Sequence, residues 1–437
     1  MKKIITLTSI ISSAFFASHA MAADLNEIYQ LSLTNDAELA AAKAKRSSGD
    51  YQVSLARAAL LPQITIGATK IDSETEIDGG PTYDVEALSY NATISQTLFN
   101  LNSWYNYKAA SAGGGASDLE YVLSEQQLIL RTAGAYFNVL RAKENLETAR
   151  AEEKAVKRQL EQTQQRFEVG LIAITEVHEA EASYDLSYAN LIGQEAALDI
   201  SYEALEQITG QRFENLAHLR SDVEFSTPKK AANEWVDAGL SKYAGIQLAQ
   251  EGVNAAEYTR KAGWSNYAPV INAQWSYTDG EQVVGSNVVG SNVVDGTTTS
   301  LALTATIPLF AGGSNYAKAK QAAARSTEAS ANLDLQQRTV KNNIRSLYRK
   351  VQTDVLTVKA RNRATVSSRS ALEATETGYQ VGTRNIVEVL NAQRNLFSAQ
   401  RDYANARYDY IIDLLNLKFF AGSLAEADIQ ALNAWLK

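Results

Sequence analysis

The chain has no cysteine, which excludes structural disulfides, thiolate nucleophiles, cysteine-ligated zinc, iron–sulfur clusters and a lipid carried on an N-terminal cysteine. Histidine is nearly as scarce. His19 lies in an apolar N-terminal stretch, His178 and His218 are far apart in sequence, and no nucleophile has an oriented base beside it, so no enzyme is expected. After the N-terminus no segment reaches the roughly 18 to 20 apolar residues of a membrane-spanning helix, which leaves β-strands as the only way across a bilayer. Basic residues number 41 against 49 acidic ones, a net charge of −8 that disfavours a nucleic-acid partner. Gly113-Gly114-Gly115 and Gly312-Gly313 lack the Gly-Lys-Ser/Thr of a phosphate loop. They read as flexible strand-to-helix junctions, and no cofactor is expected. Proline is limited to Pro62, Pro81, Pro228, Pro269 and Pro308, so in Thr82 to Thr227 and from Leu309 to the end nothing forbids helix on proline grounds.

What is present begins with Lys2-Lys3, an apolar run from Ile4 to Ala17 and Ala20-Met21-Ala22, the pattern of a secretory leader over residues 1–22 with cleavage after Ala22. Beyond it the chain reads as one unit written twice. Leu61-Pro62-Gln63-Ile64 returns as Ala268-Pro269-Val270-Ile271, Leu98-Phe99 as Leu309-Phe310, and Ile208-Thr209-Gly210 as Phe420-Ala421-Gly422. The repeats span residues 23–212 and 232–422, with a linker at 213–231 and a C-terminal segment at 423–437, linker and segment both placed in an equatorial region.

The proline-free stretches carry 3/4 spacing, as in Leu119, Leu123, Gln126, Leu130, Ala133, Phe137 and Leu140, and in Val340, Ile344, Leu347 and Val351. One helix from Leu101 to Val169 would be about 100 Å long. Each repeat adds two shorter arms, Leu25 to Leu61 and Leu171 to Thr209, then Ala232 to Ala268 and Thr383 to Ala421.

Between the helices lie alternating segments. Ile64, Ile66 and Ala68 precede Leu88, Tyr90, Ala92 and Ile94 in the first half; Ile271, Ala273, Trp275 and Tyr277 precede Leu301, Leu303, Ala305 and Ile307 in the second. About ten residues each suits a tilted bilayer crossing. Trp104, Tyr105, Tyr107, Trp264 and Tyr267 suit an interfacial girdle. The polar stretches Ser73 to Glu86 and Glu281 to Thr299 read as external loops, the second holding a tandem Val-Val-Gly-Ser-Asn pentamer. Four strands cannot close a barrel, and unpaired edges in hydrocarbon cost several kcal/mol per group, so the chain must oligomerise. Two copies give eight strands and a filled barrel; three give twelve and a lumen, which makes a trimer the economical answer. The fold class read from the residues is thus a mixed α/β membrane protein, with four strands per chain joined to long α-helical, coiled-coil-like segments. The competing reading, a periplasmic coiled-coil scaffold or adaptor without a pore, gives no reason for strands of bilayer length in each half.

Gln165-Arg166-Phe167-Glu168-Val169-Gly170-Leu171 followed by Ala173-Ile174-Thr175-Glu176-Val177, and Gly378-Tyr379-Gln380-Val381-Gly382-Thr383-Arg384 followed by Ile386-Val387-Glu388-Val389-Leu390, resemble the outer membrane efflux protein family, in its unlipidated channel-tunnel branch. The resemblance extends over nearly the whole chain after the leader, including Ala404-Asn405-Ala406-Arg407-Tyr408. It implies a homotrimer with a 12-stranded β-barrel among outer-membrane lipid of a Gram-negative bacterium and a periplasmic helical tube. The tube would meet a periplasmic adaptor (membrane fusion protein) and an inner-membrane transporter of RND, MFS or ABC type, exporting drugs, detergents or secreted proteins.

By the same resemblance, Tyr379 and Arg384 link to Thr175 and Glu176 on an adjacent helix and hold the entrance closed. Glu388 and Asn391 would form the constriction ring, where tunnels of this type carry Asp at both places, so the ring here has half the charge. The tip turns Val169-Gly170-Leu171 and Val381-Gly382-Thr383 are the expected adaptor-docking sites, glycine permitting the tight reversal. Glu176, His178, Glu179 and Glu181 read as a solvated helix face rather than a metal cluster, since His178 is turned about 200° from Glu176.

Overall fold

The computed structural model describes residues 22–76, 78, 82–284 and 292–437. The expected leader, Ala22 apart, and part of the pentamer loop lie outside the described residues. The first half runs α1 (Leu25–Asn35), α2 (Ala37–Ala58), β1 (Gln63–Glu76), β2 (Thr82–Asn100), α3 (Leu101–Glu168) and α4 (Ile174–Thr209). The second repeats that order as α5 (Ala232–Lys242), α6 (Ala244–Trp264), β3 (Val270–Val284), β4 (Asn292–Thr306), α7 (Ser314–Gln380) and α8 (Ile386–Phe420), followed by α9 (Glu426–Asn433).

The 68-residue α3 and 67-residue α7 match the expected long helices, while the first arm of each half is broken once, at Asp36 and at Tyr243. Asp36 ends α1 and caps α2, its carboxylate accepting from the Leu39 amide at 2.7 Å and meeting Arg131 of α3 at 2.9 Å. Tyr243 breaks the second arm at the same place because its ring is packed against Phe419 and Phe420, 5.4 and 5.6 Å away. The Asp36 break thus joins a local N-cap to a tertiary ion pair, whereas the Tyr243 break has no side-chain cap and is packed only by residues of another helix.

Gly113-Gly114-Gly115 corrects the junction reading: all three lie well inside an unbroken α3. A Cβ at Gly114 would sit 2.7 Å from Val53 Cγ2, and one at Gly49 would sit 2.5 Å from Ser117 Oγ. These glycines let α2 and α3 approach closely. Gly312 and Gly313, with φ of 61° and 82°, do form the expected junction before α7.

The four strands form one antiparallel sheet in the order β1-β2-β3-β4. Ile64, Ile94, Trp275 and Leu301 are paired across it in one row, and Thr65, Thr93, Ser276 and Ser300 in the next, so one face is apolar and the other polar. The strands are 14 to 19 residues long rather than ten. The outer ends placed in loops stay paired because polar side chains bridge them: Lys70 meets Glu86 at 2.8 Å, and Thr298 donates to Gln282 at 3.1 Å.

The largest core lies midway along the helices. Tyr136, Phe137, Tyr408, Leu25, Ile28, Leu216 and Ile429 are buried together, and the 213–231 segment wraps them, with the Tyr136 hydroxyl donating to the Ala217 carbonyl at 2.7 Å. Toward the sheet, α3 packs on α2 and α6, and α6 on α7; toward the tips, α4 packs on α3, α3 on α8, and α8 on α7. One lateral edge of the chain is therefore β1, α2 and α4, the other β4 and α7.

Candidate functional site

At the far end from the sheet, α3 and α7 each terminate in the same hydrogen-bonded reversal. Gly170 donates to the Phe167 carbonyl and Leu171 to that of Arg166; Gly382 donates to Tyr379 and Thr383 to Gly378. The glycines have φ of 75° and 76°, a conformation that costs any side-chain-bearing residue energy. Val169, Leu171 and Val381 are each about 70% exposed, which leaves apolar side chains bare at the tips.

The tips stand level, since the Arg166 guanidinium lies 4.7 Å over the Tyr379 ring. Between α3, α7 and α8 is a cleft of about 860 Å³ lined by Gln159, Arg166, Glu376, Tyr379 and Gln393 among others. The Tyr379 hydroxyl, Gln159 Nε2 and Gln393 Oε1 are buried there without hydrogen-bond partners among the described residues. Such orphaned groups cost about 1–3 kcal/mol each.

Arg384 pairs within the chain with Glu388, one turn further on, and Glu388 has its own amide capped by the Asn385 side chain at 3.0 Å. Glu388 is half-buried and Asn391 exposed on the same stretch of α8. Among the described residues neither Tyr379 nor Arg384 bonds to Thr175 or Glu176, which lie at the start of α4 with Thr175 exposed. The single chain thus brings Arg384 to Glu388, one of the two residues expected at the constriction, and not to the expected latch partners. Sequence reasoning missed two features: the Arg384–Glu388 pair, visible as an i,i+4 spacing, and the Arg166–Tyr379 contact, visible only once the two turns are aligned. His178 meets Glu181 at 3.1 Å on an exposed face.

A four-stranded sheet with one apolar face, joined to long helices with reversals at their far end, defines the class: an outer-membrane export channel protein. The chain matches the outer membrane efflux protein family over residues 28–211 and 237–423, and it belongs to that family. It is 35% identical to the outer membrane protein TolC of Vibrio cholerae, across 100% of this chain and 99% of that one. It is 28% identical to the alkaline protease secretion protein AprF of Pseudomonas aeruginosa, covering 95% and 88% of the two chains. The crystal structure of the Campylobacter jejuni CmeC outer membrane channel superposes with a TM-score of 0.80 at 19% identity, covering 94% and 90%. The protein is an outer-membrane export duct with its helical part in the periplasm, and these relatives give the scaffold alternative no support.

Proposed function

We propose that three copies of this chain, itself a tandem duplication, close into a 12-stranded barrel continued by a periplasmic tube, a duct that performs no chemistry of its own. One observation carries this reading: the sheet is open at β1 and β4 and turns its apolar row outward, Ile66 being 84% exposed and Leu301 79%. In water that face is a liability, and in lipid it is the required surface. Trp104, Trp264 and Tyr267, all over 40% exposed beside the strand ends, suit the interfacial girdle. Residues 213–231 and 423–437 form a belt where the tube is thickest.

In this reading a periplasmic adaptor docks on the bare tip residues Val169, Leu171 and Val381, with Gly170, Gly382 and Thr383 setting the turns. An inner-membrane RND, MFS or ABC transporter supplies the energy and cargo; the likeness to a protease secretion protein supports secreted protein as one cargo. Tyr379 and Arg384 clasp Thr175 and Glu176 in the closed trimer, which gives the orphaned Tyr379 hydroxyl a partner. Glu388 and Asn391 line the constriction, with Arg384 compensating part of the Glu388 charge. The experiment is purification from outer membranes followed by planar-bilayer recording. Heat-dissociable trimers that conduct are the expected result, and a soluble periplasmic monomer would refute the duct.

A further inference from the structure

The two lateral edges of the helical part differ in charge far more than the chain as a whole does. Helix α4 carries eight Asp and Glu and no Lys or Arg, while α7 carries twelve Lys and Arg against five acids. Between Lys341 and Arg369, α7 has Asp354 as its only acid. Among the described residues Lys341, Arg345, Arg349, Lys359, Arg363 and Arg369 make no ion pair within the chain, and all are exposed. Each edge also leaves apolar side chains exposed: Leu186 (65% exposed), Ile192 and Ile200 on α4, Leu356 and Val366 (63%) on α7.

The two edges also match in height. The tips are level, α4 rises from Gly170 and α7 descends to Gly382, so equal counts from the two glycines give equal heights at about 1.5 Å per residue. On that scale Leu186 stands level with Val366, and the small Ala196 level with Leu356. Asp185 falls within two residues of Arg369, Glu195 of Lys359, and Glu203 beside Arg349. Glu195 already reaches Arg150 of α3 at 3.2 Å, but both side chains are about half exposed and open to a second partner.

We infer that the acidic α4 edge of one copy docks on the basic α7 edge of the next, and that this complementarity fixes the head-to-tail order and axial register of the ring. The occupant of each edge is a second copy of this chain, and the inference rests on the trimer proposed above. The same two edges carry β1 and β4, so one docking step aligns the open strands for closure. Opposite edges attract, whereas two α4 or two α7 edges repel, so an isologous dimer is disfavoured.

The natural absence of cysteine gives a clean background for the test. In full-length protein in outer membranes, Leu186→Cys with Val366→Cys should give oxidant-dependent dimers and trimers joined by disulfides. Leu186→Cys with Leu356→Cys, off register by about 15 Å, should give none, because a disulfide needs Cα atoms within about 7 Å. Separately, Asp185→Lys, Glu195→Lys and Glu203→Lys together should lower the temperature at which trimers dissociate. Adding Arg349→Glu, Lys359→Glu and Arg369→Glu should restore it. Crosslinking by the off-register pair and not the level one, or a charge-reversed edge that the compensating set fails to rescue, would overturn the inference while leaving the trimer intact. A wild-type chain that never forms trimers would instead overturn the reading on which it rests.

Discussion

Substitution of Gly170 and Gly382 separates the shape of the tip turns from what they touch. Each glycine closes its helix in the left-handed region, and a Cβ built at either position meets nothing within 4 Å. No overpacking arises, so the cost is the conformation itself, about 1–2 kcal/mol per position for an ordinary residue. Asparagine tolerates this region and should cost less; valine, branched at Cβ, should cost most. Simple addition gives about 2–4 kcal/mol per chain for changing both turns, with a coupling expected on top because the Arg166–Tyr379 contact joins the two turns. The loss falls on the last helical turns and leaves the distant sheet unaffected. The exposed Val169, Leu171 and Val381 are the apolar surface a partner would cover, each contributing about 1–2 kcal/mol when buried. The assay combines adaptor crosslinking at the tips, export of a dye and trimer dissociation temperature. Gly→Asn at both turns should retain crosslinking and export, Gly→Val should lose both, and neither should move the dissociation temperature. Retained crosslinking and export in the double valine variant would show that the adaptor does not dock there. A double asparagine variant as defective as valine would show that the partner, not the turn, requires glycine.

Arg384→Ser with Tyr379→Phe should raise single-channel conductance above either single change, because terms present only in the closed state are removed; wild-type conductance would sink the clasp. Arg384→Ser alone frees the Glu388 carboxylate and should increase cation selectivity, an increase that Glu388→Ala abolishes; reversal potentials in a salt gradient read both. Asp354 is half-buried, and burial together with the neighbouring Asp413 carboxylate raises its pKa to about 7, with Asp409 acting the same way and Lys350 opposing. The folded chain holds that proton more tightly than the unfolded one, so this stabilisation is complete below about pH 4 and lost as pH rises toward 7. Melting curves across that window should show the loss in the native protein and a flatter profile in Asp354→Asn. Phe137, fully buried in the belt core, should cost about 3–5 kcal/mol on substitution by alanine, read as a lower melting temperature of the helical part.

Periodicity was enough to place α3, α4, α7 and α8 and the faces of all four strands, because residues i, i+3, i+4 of a helix and i, i+2 of a strand share a face whatever they later pack against. The internal repeat located both tip turns, since only glycine closes a helix cheaply at positive φ. Three things depended on tertiary contact. The break at Tyr243 has no side-chain cap and rests on the Phe419–Phe420 pair of another helix, while that at Asp36 adds Arg131 of α3 to its local N-cap. The glycine triplet of α3 lies in its interior, where Gly114 accommodates Val53 of α2, which local composition cannot distinguish from a flexible junction. The Arg384–Glu388 pair, by contrast, is local and open to reading as an i,i+4 spacing, since such an ion pair costs little chain entropy. The edges that separate acidic α4 from basic α7 emerged only from the lateral order of the helices, a matter of packing between residues more than 100 positions apart.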